Sequence, residues 1–120
     1  MKNVTSAAAV IKGKISSLNY LVLSQGILTF QGRNETSEGI DRKLALHFYS
    51  RWKFVDELLP LLQKAKERNE EARVMSVLAA GKGGEVNLDD LGLKKTFSLM
   101  TAGLQAPTYN DLFVQVCHEY

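Results

Sequence analysis

Two short apolar runs separated by a long helical segment constrain the fold of this chain more than any other feature. Leu18-Asn19-Tyr20-Leu21-Val22-Leu23 and Ala72-Arg73-Val74-Met75-Ser76-Val77-Leu78 are β-prone. The first lacks apolar/polar alternation, which predicts a strand covered on both faces of a parallel sheet. Strands joined through a long helix pair in parallel through a right-handed crossover.

The rest of the chain supplies the helices. Lys2 to Ile15 places Val4, Ala7, Ala8 and Ile11 at helical spacing, and Gly13 with the serines after it ends the element. Ser24-Gln25-Gly26 breaks the first strand, and a polar loop follows from Phe30 to Glu38. Thr36 to Asp41 has the side-chain caps and acids of a helix start. The helix is expected over 41–66, with Leu44, Phe48, Trp52, Val55, Leu58, Leu59 and Leu62 at spacings of three and four. Pro60 is expected to kink it or to begin a new turn. Gly81, Gly83 and Gly84 open a loop, Asn87 to Gly92 reads as turns, and a last amphipathic helix is expected over 97–118, disturbed at Pro107. The order is helix, strand, helix, strand, helix. Two strands make a poor α/β domain, so a larger assembly or a borrowed partner is expected.

Composition excludes several functions. Of 120 residues, 45% are hydrophobic and 23% charged, which suits one globular domain with a real core. Fifteen basic and thirteen acidic residues are interspersed, so no basic stripe for nucleic acid forms. The densest charge run, Lys64 to Arg73, mixes signs and reads as a solvated helix end. No run reaches the ~18 apolar residues of a membrane span, and no export signal is visible, so the cytoplasm is the default compartment. The sequons at Asn3 and Asn34 then read as chance matches. The single cysteine, Cys117, permits no intramolecular disulfide and no cysteine-based metal site, and its place near an apolar helix face predicts a buried thiol. His47 and His118 stand far apart without a metal-ligand pattern, so no metal is expected. His47, beside Phe48 and Trp52, reads as a packed histidine.

Five pieces, in order, resemble the short-chain dehydrogenase/reductase family. Leu21-Val22-Leu23-Ser24-Gln25-Gly26 resembles its fourth strand, which typically ends in Asn-Asn-Ala-Gly. Glu38 to Phe48 resembles the start of the following helix, and Leu58-Leu59-Pro60-Leu61-Leu62 its end. Ala72 to Ala80 resembles the fifth strand and the start of the active-site loop. Asn87-Leu88-Asp89-Asp90-Leu91 resembles an acidic loop of the retinol-dehydrogenase-like branch. The wording is nearest to fungal members, and the likeness runs along nearly the whole chain.

The resemblance implies a partial Rossmann-like α/β fold, a doubly wound parallel sheet in a three-layer sandwich, with residues 1–120 as a single incomplete domain truncated at both ends. It implies NAD or NADP as cofactor, with Ser24 and Gly26 as cofactor-binding candidates. Gly26 would lie where the family's backbone passes the adenosine ribose, and a missing side chain suits close approach. The family's glycine-rich turn would lie before Met1. Gly81-Lys82-Gly83-Gly84 does not match its spacing and reads as a flexible loop.

The family's chemistry uses a tyrosine to protonate a carbonyl, a lysine to lower that tyrosine's pKa and a serine to orient the substrate. By the resemblance, the tyrosine position falls on Gly103, the lysine on Pro107, the serine near Leu78 or Ala79 and the tetrad asparagine on His47. The remaining catalytic candidates are Ser76, two residues early, and Tyr109. The latter is followed four residues on by Phe113 where a lysine is needed, and otherwise reads as a half-buried helix tyrosine.

Two functions are therefore expected. One is an oxidoreductase by descent, in fungal secondary metabolism. The other is a non-catalytic protein that forms a homo- or heterodimer through helices 41–66 and 97–118, or else a degenerate gene product.

Overall fold

The computed structural model of the chain describes residues 1–118. These form two compact units, Met1–Ser24 with Tyr49–Val77, and Gln25–Phe48 with the described residues from Leu78 onward. The element order is helix, strand, helix, strand, helix, as the sequence predicts.

In the first unit, helix α1 (Lys2–Lys12) buries Val4 and Ala8, one turn apart, and ends at Gly13, whose N–H reaches the Ala9 carbonyl at 3.0 Å. Helix α3 (Ser50–Glu67) buries Val55, Leu58, Leu61, Leu62 and Ala65. Ala8, Leu58 and Leu61 form a core against which Ile11, Leu18, Leu21 and Phe54 pack. Full burial of a leucine such as Leu58 stabilises by about 1.5–3 kcal/mol. At the rim, Glu57 ties α1 to α3. It accepts from Lys12 Nζ at 2.8 Å and Thr5 Oγ1 at 3.2 Å, and pairs with Lys53 Nζ at 3.1 Å. The hydrogen bonds from Lys12 and Lys53 hold its carboxyl down at about 2. Pro60 does not break α3. It lies on the exposed face, where water can serve the Asp56 carbonyl that a proline cannot reach.

Strands β1 (Tyr20–Leu23) and β2 (Arg73–Ser76) pair in parallel, with Tyr20 opposite Arg73 and Leu23 opposite Ser76. The expectation of a strand covered on both faces is corrected. Leu21 and Leu23 turn inward, whereas Tyr20 and Val22 are 59% and 60% exposed beside Met75 at 59%. A run that is apolar throughout does not reveal which face is covered.

In the second unit, the expected helix start at Thr36 is instead a turn. Thr36 N–H reaches the Ile40 carbonyl at 2.8 Å, and Gly39 takes a left-handed φ of +74°. The cap is Asp41, fully buried, whose carboxylate accepts from the backbone N–H of Lys43, Leu44 and Asn34 at 2.9, 3.3 and 3.0 Å. A short helix α2 (Arg42–Leu44) runs into a π-helical turn, Ala45–Tyr49, before α3 begins. Asn87 to Gly92 contains a 3-10 turn, Leu88–Asp90. Helix α4 (Leu99–His118) starts two residues later than expected, after Ser98 and Thr101 exchange side-chain-to-backbone hydrogen bonds at 2.8 and 3.0 Å. It continues through Pro107. Cys117, expected to be buried, is exposed on its last turns. Among the described residues, no helix is long and apolar enough to cross a membrane, and no cluster of His, Cys, Asp or Glu could hold a metal ion.

Candidate functional site

The carboxyl ends of parallel strands are where doubly wound folds bind ligands. In the first unit, Ser76 ends β2, and exposed Ser24 follows Leu23, its register partner, so the two serines stand at the same end of the sheet. The group that fills this end is Arg51, 1% exposed. Its Nη1 donates to the Ser76 hydroxyl at 2.8 Å, the Val77 carbonyl at 2.8 Å and the Leu23 carbonyl at 3.2 Å. Burial pushes the guanidinium pKa down. Ser76 is thus an acceptor in a structural clamp that joins the ends of both strands. Sequence reasoning passed over Arg51, although it stands in the apolar stripe of its helix: Leu44, Phe48, Arg51, Val55 and Leu58 follow one another at intervals of three or four.

Tyr109, in the second unit, is 8% exposed and not half-buried. Its hydroxyl donates to the Leu91 carbonyl at 3.1 Å and lies 2.7 Å from Gln105 Oε1. Its ring packs on Phe48, with centroids 5.3 Å apart. These contacts fasten α4 to the loop after the 3-10 turn. Next to it, Asn110 Nδ2 donates to the carbonyls of Ala106 and His47, both at 2.8 Å. Asn110 therefore anchors the π-helical turn, a role no motif announced.

Gly26 stands against His47. A Cβ built on Gly26 would lie 3.1 Å from His47 Nε2 and 3.2 Å from Cδ2. The next residue, Ile27, donates its N–H to the same Nε2 at 3.1 Å.

The loop at Gly81–Gly84 is not simply flexible. A Cβ on Gly83 would lie 2.6 Å from Thr108 Oγ1, and one on Gly84 2.8 Å from Leu104 Cβ. The Gly84 N–H donates to Thr108 Oγ1 at 2.9 Å. These glycines let the loop dock on α4.

A dinucleotide needs glycine faces open to its pyrophosphate and backbone N–H groups free to meet it. At Gly26 and at Gly83–Gly84 the chain's own His47, Thr108 and Leu104 take the space, and the N–H groups of Ile27 and Gly84 are already given away. The groups present do not fit a pyrophosphate at Gly83–Gly84, and at Gly26, where the resemblance puts the adenosine ribose, His47 covers one face of an otherwise exposed glycine.

Farther along, Asp90 organises the acidic loop. Its carboxylate accepts from the backbone N–H of Lys94, Lys95 and Thr96 at 2.8 Å each, and from the Thr96 hydroxyl at 3.0 Å. Burial pushes the carboxyl up, but these hydrogen bonds outweigh it and hold it at about 2.

The fold has solved counterparts. The structure of Pseudomonas aeruginosa RhlG, an active-site complex with NADP, superposes with a TM-score of 0.66 at 18% identity, over 97% of this chain and 42% of that protein. The NADH-dependent reductase A1-R′, complexed with NAD, gives a TM-score of 0.60 at 19% identity, over 98% of this chain and 46% of that one. The chain has a partial Rossmann-like α/β fold, shared with nicotinamide-dependent reductases.

Its sequence relatives are more specific. It is 39% identical over 115 residues to the oxidoreductase AN1596 of Emericella nidulans, which is 96% of this chain and 33% of that protein. It is 30% identical over 117 residues to the NmrA-like family domain-containing oxidoreductase notO of Aspergillus sp., across 96% of this chain and 34% of notO. The chain spans about a third of the length of the curated relatives it matches. No protein-family profile matches it.

Proposed function

We propose that this chain is a segment of a short-chain dehydrogenase/reductase-type oxidoreductase that works in the cytoplasm in fungal secondary metabolism and does not hold NAD or NADP by itself. The observation that carries this reading is the 39% identity to an oxidoreductase across 96% of this chain but 33% of the relative. Redox chemistry then belongs to an assembly in which the remaining two-thirds of the fold supplies the phosphate-binding turn. The nicotinamide, held there, would supply hydride. The contribution of this chain is the pair of strand ends gripped by Arg51 and the helix α4 fastened by Tyr109 and Asn110.

A chimera tests this. The matching third of AN1596 is replaced by this chain, and binding of NADPH and NADH by the whole protein is titrated. A folded chimera that binds one of them supports the reading. A folded chimera that binds neither, beside a parent that does, contradicts it.

A second reading is favoured by α4 itself. Leu104, Leu112 and Val116 are spaced by eight and four residues, fall on one stripe, and are 38%, 50% and 51% exposed. Such a stripe suits a non-catalytic partner that pairs through helices 41–66 and 97–118 with another copy or a full-length relative. Sedimentation distinguishes it: a dimer that Leu112→Glu with Val116→Glu dissociates supports pairing, and a monomer at all concentrations contradicts self-pairing.

A further inference from the structure

We propose that Gly26 is reserved for the imidazole of His47 and is not a point of nucleotide approach. Backbone conformation does not require glycine there: among the described residues, the left-handed glycines are Gly39 and Gly81. What excludes a side chain is space. An alanine Cβ would stand 3.1 Å from Nε2 and 3.2 Å from Cδ2 of His47, so the ring must retreat by a few tenths of an ångström.

His47 is held at two points against that retreat, one on the ring and one on the backbone. Nε2 accepts the Ile27 N–H at 3.1 Å, which requires an unprotonated Nε2. The backbone of His47 is held through its carbonyl by Asn110 Nδ2 at 2.8 Å, and Asn110 is in turn bonded to Ala106 of its own helix. Moving the imidazole away from Gly26 stretches the Ile27 hydrogen bond or turns a residue whose carbonyl is fixed. The absence of a side chain at 26, which looks like room for a ligand, is room for a neighbour. This packing relation stands independently of any redox chemistry in the relatives.

A double-mutant cycle on the 120-residue chain tests it. Gly26→Ala in the native background is expected to lower Tm by about 5 °C. In the His47→Ala background the same substitution is expected to leave Tm unchanged or raise it slightly, because alanine restricts the unfolded chain. If Gly26→Ala does not fold, a folded Gly26→Ala/His47→Ala pair supports the proposal. An unfolded pair beside a folded His47→Ala overturns it. Equal costs in both backgrounds overturn it, as does no cost in either. A measurement without variants is the scalar coupling between the Ile27 amide and His47 Nε2, which should be present; its absence contradicts the contact. In the cofactor arm, NADPH and NADH are expected to leave the native Tm flat. Saturable stabilisation that Gly26→Ala abolishes, without altering the ligand-free Tm, would show that the glycine serves the nucleotide.

Discussion

The guanidinium of Arg51 meets the hydroxyl of Ser76 at 2.8 Å, and through that contact a helix residue closes the end of β2. The same nitrogen reaches Val77 and Leu23, so both strands end on one buried cation. Replacing Arg51 by methionine removes a desolvated charge together with the donor shared by the Ser76 hydroxyl and the Val77 and Leu23 carbonyls, the last of which keeps the Val77 N–H at 2.8 Å. Arg51→Met is expected to destabilise the chain by about 3 kcal/mol and Ser76→Ala by about 1.5 kcal/mol. Denaturant unfolding reads both, and the double variant should cost less than the sum of the two. Strict additivity would mean that the pair is not coupled.

Tyr109 gives a second test of a residue first read for catalysis. Its hydroxyl is divided between the Leu91 carbonyl and Gln105. Tyr109→Phe keeps the ring against Phe48 and removes only that hydroxyl. The expected cost is about 1–2 kcal/mol in urea unfolding. An unchanged or higher stability would indicate a residue kept for a purpose other than fastening α4.

Acid should loosen the loop that Asp90 organises. The backbone N–H groups around Asp90 hold its carboxyl at about 2 in the folded chain, below the 3.8 of an unperturbed aspartate. A depressed carboxyl pKa means that its stabilisation is complete above the unfolded value and is lost as pH falls from about 4 toward 2. Glu57, lowered from 4.5 to about 2, loses its stabilisation in the same direction. Stability measured by chemical unfolding between pH 6 and pH 2 should fall across that window. Asp90→Asn should flatten part of the fall, and a slope identical to that of the native chain would count against the role of Asp90.

Gly84 tests the docking of the glycine-rich loop. An added Cβ would lie 2.8 Å from Leu104 Cβ, an atom fixed to the helix backbone. Gly84→Ala is expected to cost about 1–3 kcal/mol, as overpacking does. Gly32, with nothing near its bare face, is the control: Gly32→Ala should stay within about 0.5 kcal/mol of the native chain.

What could be read from the sequence follows from which features are local. Helical spacing from Leu44 through Leu62 and the break at Gly13 are local: the first helix runs over Lys2–Lys12, and the segment expected as one helix from Asp41 is α2 from Arg42, a π-helical turn and α3 over Ser50–Glu67. The parallel pairing of β1 and β2 followed from the helix between them. The exposed face of β1 was hidden because Tyr20, Leu21, Val22 and Leu23 are all apolar, so period two leaves no mark. Asp41 outcompeted Thr36 as the cap because its carboxylate also collects the Asn34 N–H from the preceding loop, a contact that no spacing rule contains. The π-helical turn has no composition signal. The use of Gly26, Gly83 and Gly84 depends on side chains 20 or more residues away, His47, Leu104 and Thr108. A glycine in a sequence shows that space is needed and not what fills it.

This chain, alone, is expected not to hold NAD or NADP: His47 covers Gly26, and Thr108 and Leu104 cover Gly83 and Gly84, while Ser24 stays exposed. The direct measurement is titration of the purified 120-residue chain with NADPH and with NADH, followed by thermal unfolding. A ligand bound to the native state raises apparent stability by RT ln(1 + [L]/Kd). A flat Tm for a cooperatively unfolding sample at millimolar cofactor is the predicted result. Saturable stabilisation at micromolar NADPH or NADH would contradict the account.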